Sequence, residues 1–377
     1  MPGLAPRSPW HRYPLCGRHM SNSSMARSPG RLPTAAAFVL LAVWPAAWAA
    51  APADPIPAAL PVFETASLDR AETAAEAGSS EKKTATGRGL SAPSSRDGLH
   101  LSRLALLAGG GAVAHYVGFE YFDRAWYQGQ KQSSIRWIHD WSGDTYLNLD
   151  KGGHFMGGLF LSRGLTGAYR WAGVDDRPAA ILGTLTSWGA LLEIEMRDAY
   201  FREWGFSLPD FAANTLGAAI PLLHTLVPAS RAIGFKISYW PSKLYTERRQ
   251  RSRDPVRPHT DYIIDDYEGM TFWMTLAVDH VLWGGAKEAW PDYLGIALGY
   301  GATGLHGSNV KSKGRFKEYR DLPDARPEIF VALDFDARHL PGHGELWNSF
   351  KSQLNWTHFP APAVRVYPDF RFYLLFM

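Results

Sequence analysis

The chain reads as an α+β protein in which a four-helix apolar, membrane-associated bundle is followed by an antiparallel β-rich region. Three observations predict this. Between Leu101 and Leu226 four helix-sized segments are apolar nearly all round; after Arg231 the apolar period drops from about 3.6 to 2; and residues 50–99, rich in Ala, Ser, Pro and Glu, separate this part from an apolar N-terminal run. The expected units are a leader and signal peptide over 1–49, a disordered linker over 50–99, a helical domain over 100–230 and a β-rich domain over 231–377.

From Met25 the sequence runs through two arginines, an apolar stretch from Ala35 to Trp48, and small residues around Ala49. That is the layout of an export signal cleaved near Ala49 or Ala50. Cys16, the only cysteine, lies upstream, so the mature protein is expected to hold no disulfide, no thiolate ligand and no lipid-bearing cysteine at the cleavage point.

The helices are expected over roughly Leu101 to Phe122, Lys151 to Trp171, Pro178 to Arg202 and Leu208 to Leu226. Each apolar run is shorter than the ~20 residues a comfortable span needs, while Gly109, Gly110, Gly111, Gly157, Gly158 and Gly217 favour close helix contact of the kind found in membranes. In the β region, Ile233, Phe235, Ile237 and Tyr239 alternate, as do Phe272, Met274, Leu276 and Val278. Further sets are Leu294, Ile296, Leu298 and Tyr300; Ile329, Val331, Leu333 and Phe335; and Phe370, Phe372, Leu374 and Phe376. Large apolar residues on one face and small or polar ones on the other suit an outer-membrane barrel wall. Five or six strands fall short of the eight a closed barrel needs, and a sheet covering the helices explains the same pattern.

With 46% hydrophobic and 13% aromatic residues among 377, most of the chain should fold. The formal charge of +3 is an effect of five arginines before residue 34; without them the remainder is about −2, which excludes a nucleic-acid partner. A membrane and a small-molecule or lipid ligand are the expected partners.

The chemistry is expected in a polar set carried by these apolar segments. Asp150 and His154 are four residues apart and share a face of the second helix, with Lys151 beside them. On the third helix Glu195 continues a stripe of Ile181, Leu185, Trp188 and Leu192, and Asp198 follows on nearly the same face. Ser207, Pro209 and Asp210 form the opening of the fourth helix, and Asn214 lies one turn later. Unpaired charge is costly in such surroundings, so these groups should face one another.

Each residue also has a purely structural role open to it. Asp150 stands where a helix N-cap belongs, Asp210 completes a capping box, Glu193 and Asp198 have Arg197 and Arg202 at i+4, and Lys151 can neutralise Asp150 or Glu195. The functional assignment takes His154 as base, Glu195 or Asp198 as acid, and Asp150, Lys151, Asp210 and Asn214 as substrate-binding groups, with Lys151 on an anionic group. The reaction class is hydrolysis or group transfer on a lipid or cell-wall precursor. A non-enzymatic scaffold or binding protein is the alternative, and a divalent metal on His154 with two or three carboxylates is a third arrangement. No metal site is assigned and no motif identifies a cofactor. His115 and His224 are expected to be structural.

These motifs resemble a bacterial envelope family of unknown function that contains the YfiM-like predicted periplasmic lipoproteins, and more remotely the VanZ-like membrane proteins. The likeness rests on Asp150, Lys151, His154 and Phe155, on Glu195 and Asp198, and on Trp204 to Ser207 with Asp210, Asn214 and Gly217. It extends through the segments at Asp266, Gly299, Ala332 and Phe359. The resemblance implies an exported protein on the periplasmic side of the envelope, with undetermined biochemistry.

Overall fold

A computed structural model describes residues 98–127, 132–202, 204–242, 245, 263–305 and 324–377. The leader, the export signal, Cys16 and nearly all of the 50–99 linker lie outside the described residues.

The chain begins with helix α1 (Leu101–Phe122), followed by a short strand β1 (Trp137–Ile138) and helices α2 (Leu149–Trp171) and α3 (Asp176–Asp198). Strand β2 (Phe206–Ser207) leads directly into α4 (Leu208–Leu226). Then come β3 (Ile233–Tyr239), β4 (Met270–Leu276), a short helix α5 (Gly285–Ala289), β5 (Leu294–Thr303) and β6 (Arg326–Phe335). Helix α6 (Glu345–Leu354) and strands β7 (Ala361–Tyr367) and β8 (Arg371–Phe376) complete it. The α+β class and the antiparallel sheet are as the sequence predicts, and α1 and α4 keep their expected bounds.

Helices α2, α3 and α4 approach one another through small residues. A Cβ on Gly217 would lie 1.9 Å from the Phe155 carbonyl oxygen, one on Gly158 2.4 Å from that of Asn214, and one on Gly183 2.9 Å from that of Ser162. Gly109, Gly110, Gly111 and Gly157 are different, for a Cβ there meets nothing within 4 Å. Close packing therefore explains Gly158 and Gly217 but not the α1 glycines.

The stripe expected on α3 is also displaced. Ala180, Gly183, Ser187 and Glu195 form its buried edge, while Ile181 and Leu185, the latter 58% exposed, face outward. Helices that bury Gly, Ala and Ser can come closer than helices that interleave leucines, so small residues take the contact and large ones are pushed to the outside. Helix α1 has no buried residue, and its Leu101, Leu106, Val113 and Tyr116 are exposed. No described helix is long and apolar enough to cross a membrane.

The sheet is a six-stranded antiparallel meander in the order β3-β4-β5-β6-β7-β8. On its inner face Trp273, Ala297, Phe330, Ala332 and Ala363 form the largest apolar cluster, and His358 stacks on Trp273 with ring centroids 3.9 Å apart. Phe376 of the last strand reaches both Phe330 and Trp273, so the sheet is strongly curled. The free edge of β3 pairs with the 356–358 segment through Ile237 and Thr357. The same inner face buries the Lys236–Asp334 ion pair at 2.9 Å.

Large apolar residues line the opposite face. They meet the helices only in part: Phe235 packs on Phe155 and Phe272 lies against Gly152. Met274, Ile296, Leu298, Val331, Phe372 and Leu374 are exposed, Leu374 by 71%. A sheet simply covering the bundle does not account for this, because the face that carries the greasy residues is mostly turned away from the core.

Candidate functional site

The short parallel pairing of β1 with β2, which aligns Ile138 with Ser207, draws the segment after β1 alongside the start of α4. Asp140 thereby accepts a 2.7 Å hydrogen bond from the Ser207 hydroxyl. Ser207 caps α4, its Oγ accepting from the Asp210 amide at 3.1 Å, and Pro209 fills the first turn as the sequence predicts. The start of α2 faces this corner.

Asp150 is not the N-cap of α2. Asn148 holds that position, and Asp150 sits in the first turn, where its Oδ1 accepts from the Lys151 amide at 3.0 Å. The cap is made in an unusual way: Tyr146, Leu147 and Asn148 all have positive φ, at 44°, 55° and 65°. Non-glycine residues pay for the left-handed region, so a run of three must be held from outside. The Tyr300 hydroxyl on β5 donates to the Leu147 carbonyl at 2.6 Å, and the Tyr146 ring lies 4.4 Å from that of Tyr267. The β region thus fixes the entry into α2.

Three carboxylates converge on one ammonium. Lys151 Nζ lies 2.8 Å from Asp150 Oδ2 and 2.9 Å from Asp210 Oδ1, and it also pairs with Asp140 Oδ2. Burial opposes the lysine's charge, but Asp210 and Asp150 outweigh it and hold the proton on. Burial pushes the Asp150 carboxyl up to about 6, against the pull of Lys151. The lysine neutralises Asp150 as expected; Glu195 lies elsewhere. With its donors turned to carboxylates, Lys151 is a clamp between α2 and α4.

Next to the clamp, His154 is sandwiched. Its Nδ1 is 3.2 Å from Asn214 Oδ1 and 3.4 Å from Glu195 Oε1, and its Nε2 faces Asp210 Oδ2 at 3.8 Å. Asn214 donates from Nδ2 to Glu195 Oε1 at 3.0 Å. The Glu195 side chain is 1% exposed and that of His154 26%, so the row Glu195, Asn214, His154 runs from the interior toward the surface. Burial pushes the Glu195 carboxyl up to about 8, with Asp210 and Asp198 adding to the rise and His154 opposing it. Burial works against a charged His154 as well, yet the carboxylates of Asp210, Glu195, Asp150 and Asp198 outweigh it, so the ring holds its proton above the ordinary histidine range.

Asp198 stands at the far end of α3, accepting a 2.5 Å hydrogen bond from the Tyr127 hydroxyl. The i+4 surface pairs expected there are replaced by contacts with the α1 region. Arg197 meets Asp123 at 2.5 Å and stacks on Phe119 and Tyr127, while Glu193 meets His115 at 3.5 Å. The structure thus brings Asp150, Lys151, His154, Glu195, Asp210 and Asn214 together and gives Asp198 to Tyr127. Asp140 and Tyr127 were not expected, since neither shares a helical period with the other members.

Two triads have ligand atoms within 4.8 Å of one another and could hold a divalent cation: His154, Glu195 and Asp210, and Asp140, Asp150 and Asp210. In the second the Lys151 ammonium already sits among the carboxylates, so a cation there would have to displace it. The first offers one nitrogen and two oxygens, a mixed donor set that suits zinc, manganese or iron.

Residues 137–225 match the family model described as "Predicted periplasmic lipoprotein (DUF2279)", a stretch that holds Asp140, the α2 motif, Glu195, Asp198, Asp210 and Asn214. No curated protein and no solved structure matches the chain. The helical part and the polar cluster inside it are therefore similar to a family of predicted periplasmic lipoproteins, in keeping with a protein exported to the periplasmic side of the cell envelope.

Proposed function

We propose that the protein lies on a membrane surface and that its helical bundle carries a proton-transfer site for hydrolysis or group transfer on a lipid or cell-wall precursor. The observation that carries this reading is the buried row ending at His154, whose ring opens toward solvent while Glu195 behind it is sealed. Asp210 and Glu195 raise the affinity of His154 for a proton, which suits it to begin as the proton donor. In a hydrolysis His154 gives its Nε2 proton to the leaving oxygen, Asp210 takes the proton of the attacking water, and that proton returns to His154. Asn214 and Glu195 act through His154 by fixing its ring, and Asp198 adds negative potential from a distance. Lys151 and Asp150 keep Asp210 in place instead of binding the substrate directly.

Support for the membrane setting comes from the outward apolar residues of α1, α3 and the sheet together with small or polar interiors, the reverse of a water-facing surface. The test is complementation of an envelope defect by His154→Gln. Loss of function with normal export and unchanged circular dichroism is the expected result; full function would remove His154 from the chemistry.

The competing reading makes the protein a scaffold in which the cluster only sets helix register. The Lys151 clamp between α2 and α4, beside the close approach at Gly158 and Gly217, favours it. Under that reading a His154→Leu, Glu195→Leu double variant keeps both function and stability.

A further inference from the structure

Beside the polar cluster the chain turns large rings toward solvent. Segment 132–142 runs alongside 199–207, joined by the Ser133 amide to the Tyr200 carbonyl at 2.8 Å, the Arg136 amide to the Ala199 carbonyl at 3.0 Å and the β1–β2 pairing. From it Trp137 and Trp141 stand 67% and 63% exposed; Ile135 and Leu208, the first residue of α4, are both 49% exposed. The two tryptophans bracket Asp140, which accepts from Ser207 and pairs with Lys151. Lys151 also holds Asp210, whose Oδ2 faces His154. An aromatic surface therefore borders the solvent-facing end of the His154 row.

Packing fixes this surface to the bundle. Trp137 rests on Phe206 with ring centroids 4.7 Å apart, Phe206 on Phe211 at 5.7 Å, and Phe211 on Trp188 of α3 at 5.7 Å. The Trp188 indole N–H donates to the Thr215 hydroxyl at 3.1 Å, tying the row to both α3 and α4. Leu185, one turn before Trp188 and 58% exposed, carries the apolar surface onward along α3. The strip is also cationic. Arg136 and Arg202 are exposed, Asp140 is taken up by Ser207 and Lys151, and Lys131 and Glu203, which flank the strip in the sequence, cancel.

We infer that this strip docks on an anionic phospholipid bilayer, with Trp137, Trp141, Ile135 and Leu208 entering the head-group region and Arg136 and Arg202 on lipid phosphates. Tryptophan suits that depth because its ring is apolar and its N–H needs a polar partner. Arginine forks match phosphate oxygens, and positive charge draws the strip to anionic lipid. Leucines outside and small residues inside, as on α3, are the pattern of a helix that meets lipid. The inference rests on the membrane-surface setting proposed above and names the face that makes the contact, which holds the His154 end of the cluster at head-group depth. It does not depend on the proton chemistry.

Co-sedimentation with vesicles of mixed phosphatidylglycerol and phosphatidylcholine, against phosphatidylcholine alone, tests it. The expected result is preferential binding to the mixed vesicles, weakened at least about tenfold in a Trp137→Ser, Trp141→Ser double variant. In case the Trp137 change disturbs the packing on Phe206, Trp141→Ser alone must still weaken binding, and Arg202→Gln must reduce the preference for the anionic lipid. Failure of the wild type to bind either vesicle would overturn the membrane setting and the inference together. Binding that the tryptophan variants retain, or that Leu374→Ser on the sheet abolishes in their place, would overturn the inference alone.

Discussion

Replacing Lys151 by methionine removes the cation shared by Asp140, Asp150 and Asp210 while keeping much of the side chain's apolar stem. The lysine side chain is 10% exposed, so water cannot take over its role. Breaking a buried ion pair from one side costs about 3–5 kcal/mol, because the partner is left charged in a poor solvent. For a folded body of this size each kcal/mol moves the melting temperature by about 2–4 °C, so the expected drop at neutral pH is roughly 6–20 °C. The loss should shrink in acid. Asp150 already takes up a proton near 6 with the lysine present, and losing the pull of Lys151 lets it protonate more readily still, which relieves the repulsion. Urea unfolding followed by circular dichroism at neutral and acid pH measures both effects. A loss below about 1 kcal/mol at neutral pH, or one that grows on acidification, would refute the clamp.

Glu195 carries a second prediction. Its pKa rises from the ordinary carboxyl value of 4.5 to about 8 on folding, so the folded state binds its proton more tightly than the unfolded chain does. Stability from this group is present at acid pH and is lost as pH climbs from about 4.5 to about 8; Glu195→Gln should flatten the fall in melting temperature across that window. Gly217→Ala should destabilise by several kcal/mol, because its Cβ would lie 1.9 Å from a backbone oxygen, whereas Gly110→Ala should stabilise by about 0.5–1 kcal/mol through helix propensity alone. Thermal melts of the two variants compare them directly. Tyr127→Phe removes the 2.5 Å hydrogen bond to Asp198 and should cost about 1–3 kcal/mol by urea unfolding, with His154 still protonated.

The helices and strands were legible because their signals are local: Ser207-Leu208-Pro209-Asp210 announces the start of α4, and alternation from Ile233 onward announces the sheet. Strand β7 was missed because Pro362, Ala361 and Ala363 present no large apolar face. Within the site, His154, Glu195 and Asn214 could be found from their positions on apolar helices. Asp140 could not, since it reaches Lys151 only through the β1–β2 pairing and the three left-handed residues before α2. The orientation of the apolar faces was misjudged for a general reason. Periodicity says which residues share a face but not which face makes the helix contact, and here Gly183, Ser187 and Glu195 make it while Leu185 does not, since small residues allow the closer approach.

The proton on His154 is the quantity on which the functional account turns. Nitrogen-15 NMR of the histidine-labelled protein, with His154 assigned by its loss in His154→Gln, reads it directly. The account predicts that at pH 6.5 most of the rings still carry protons on both nitrogens and that titration comes only above that ordinary value. A neutral ring at that pH, titrating at or below 6.5, would contradict it.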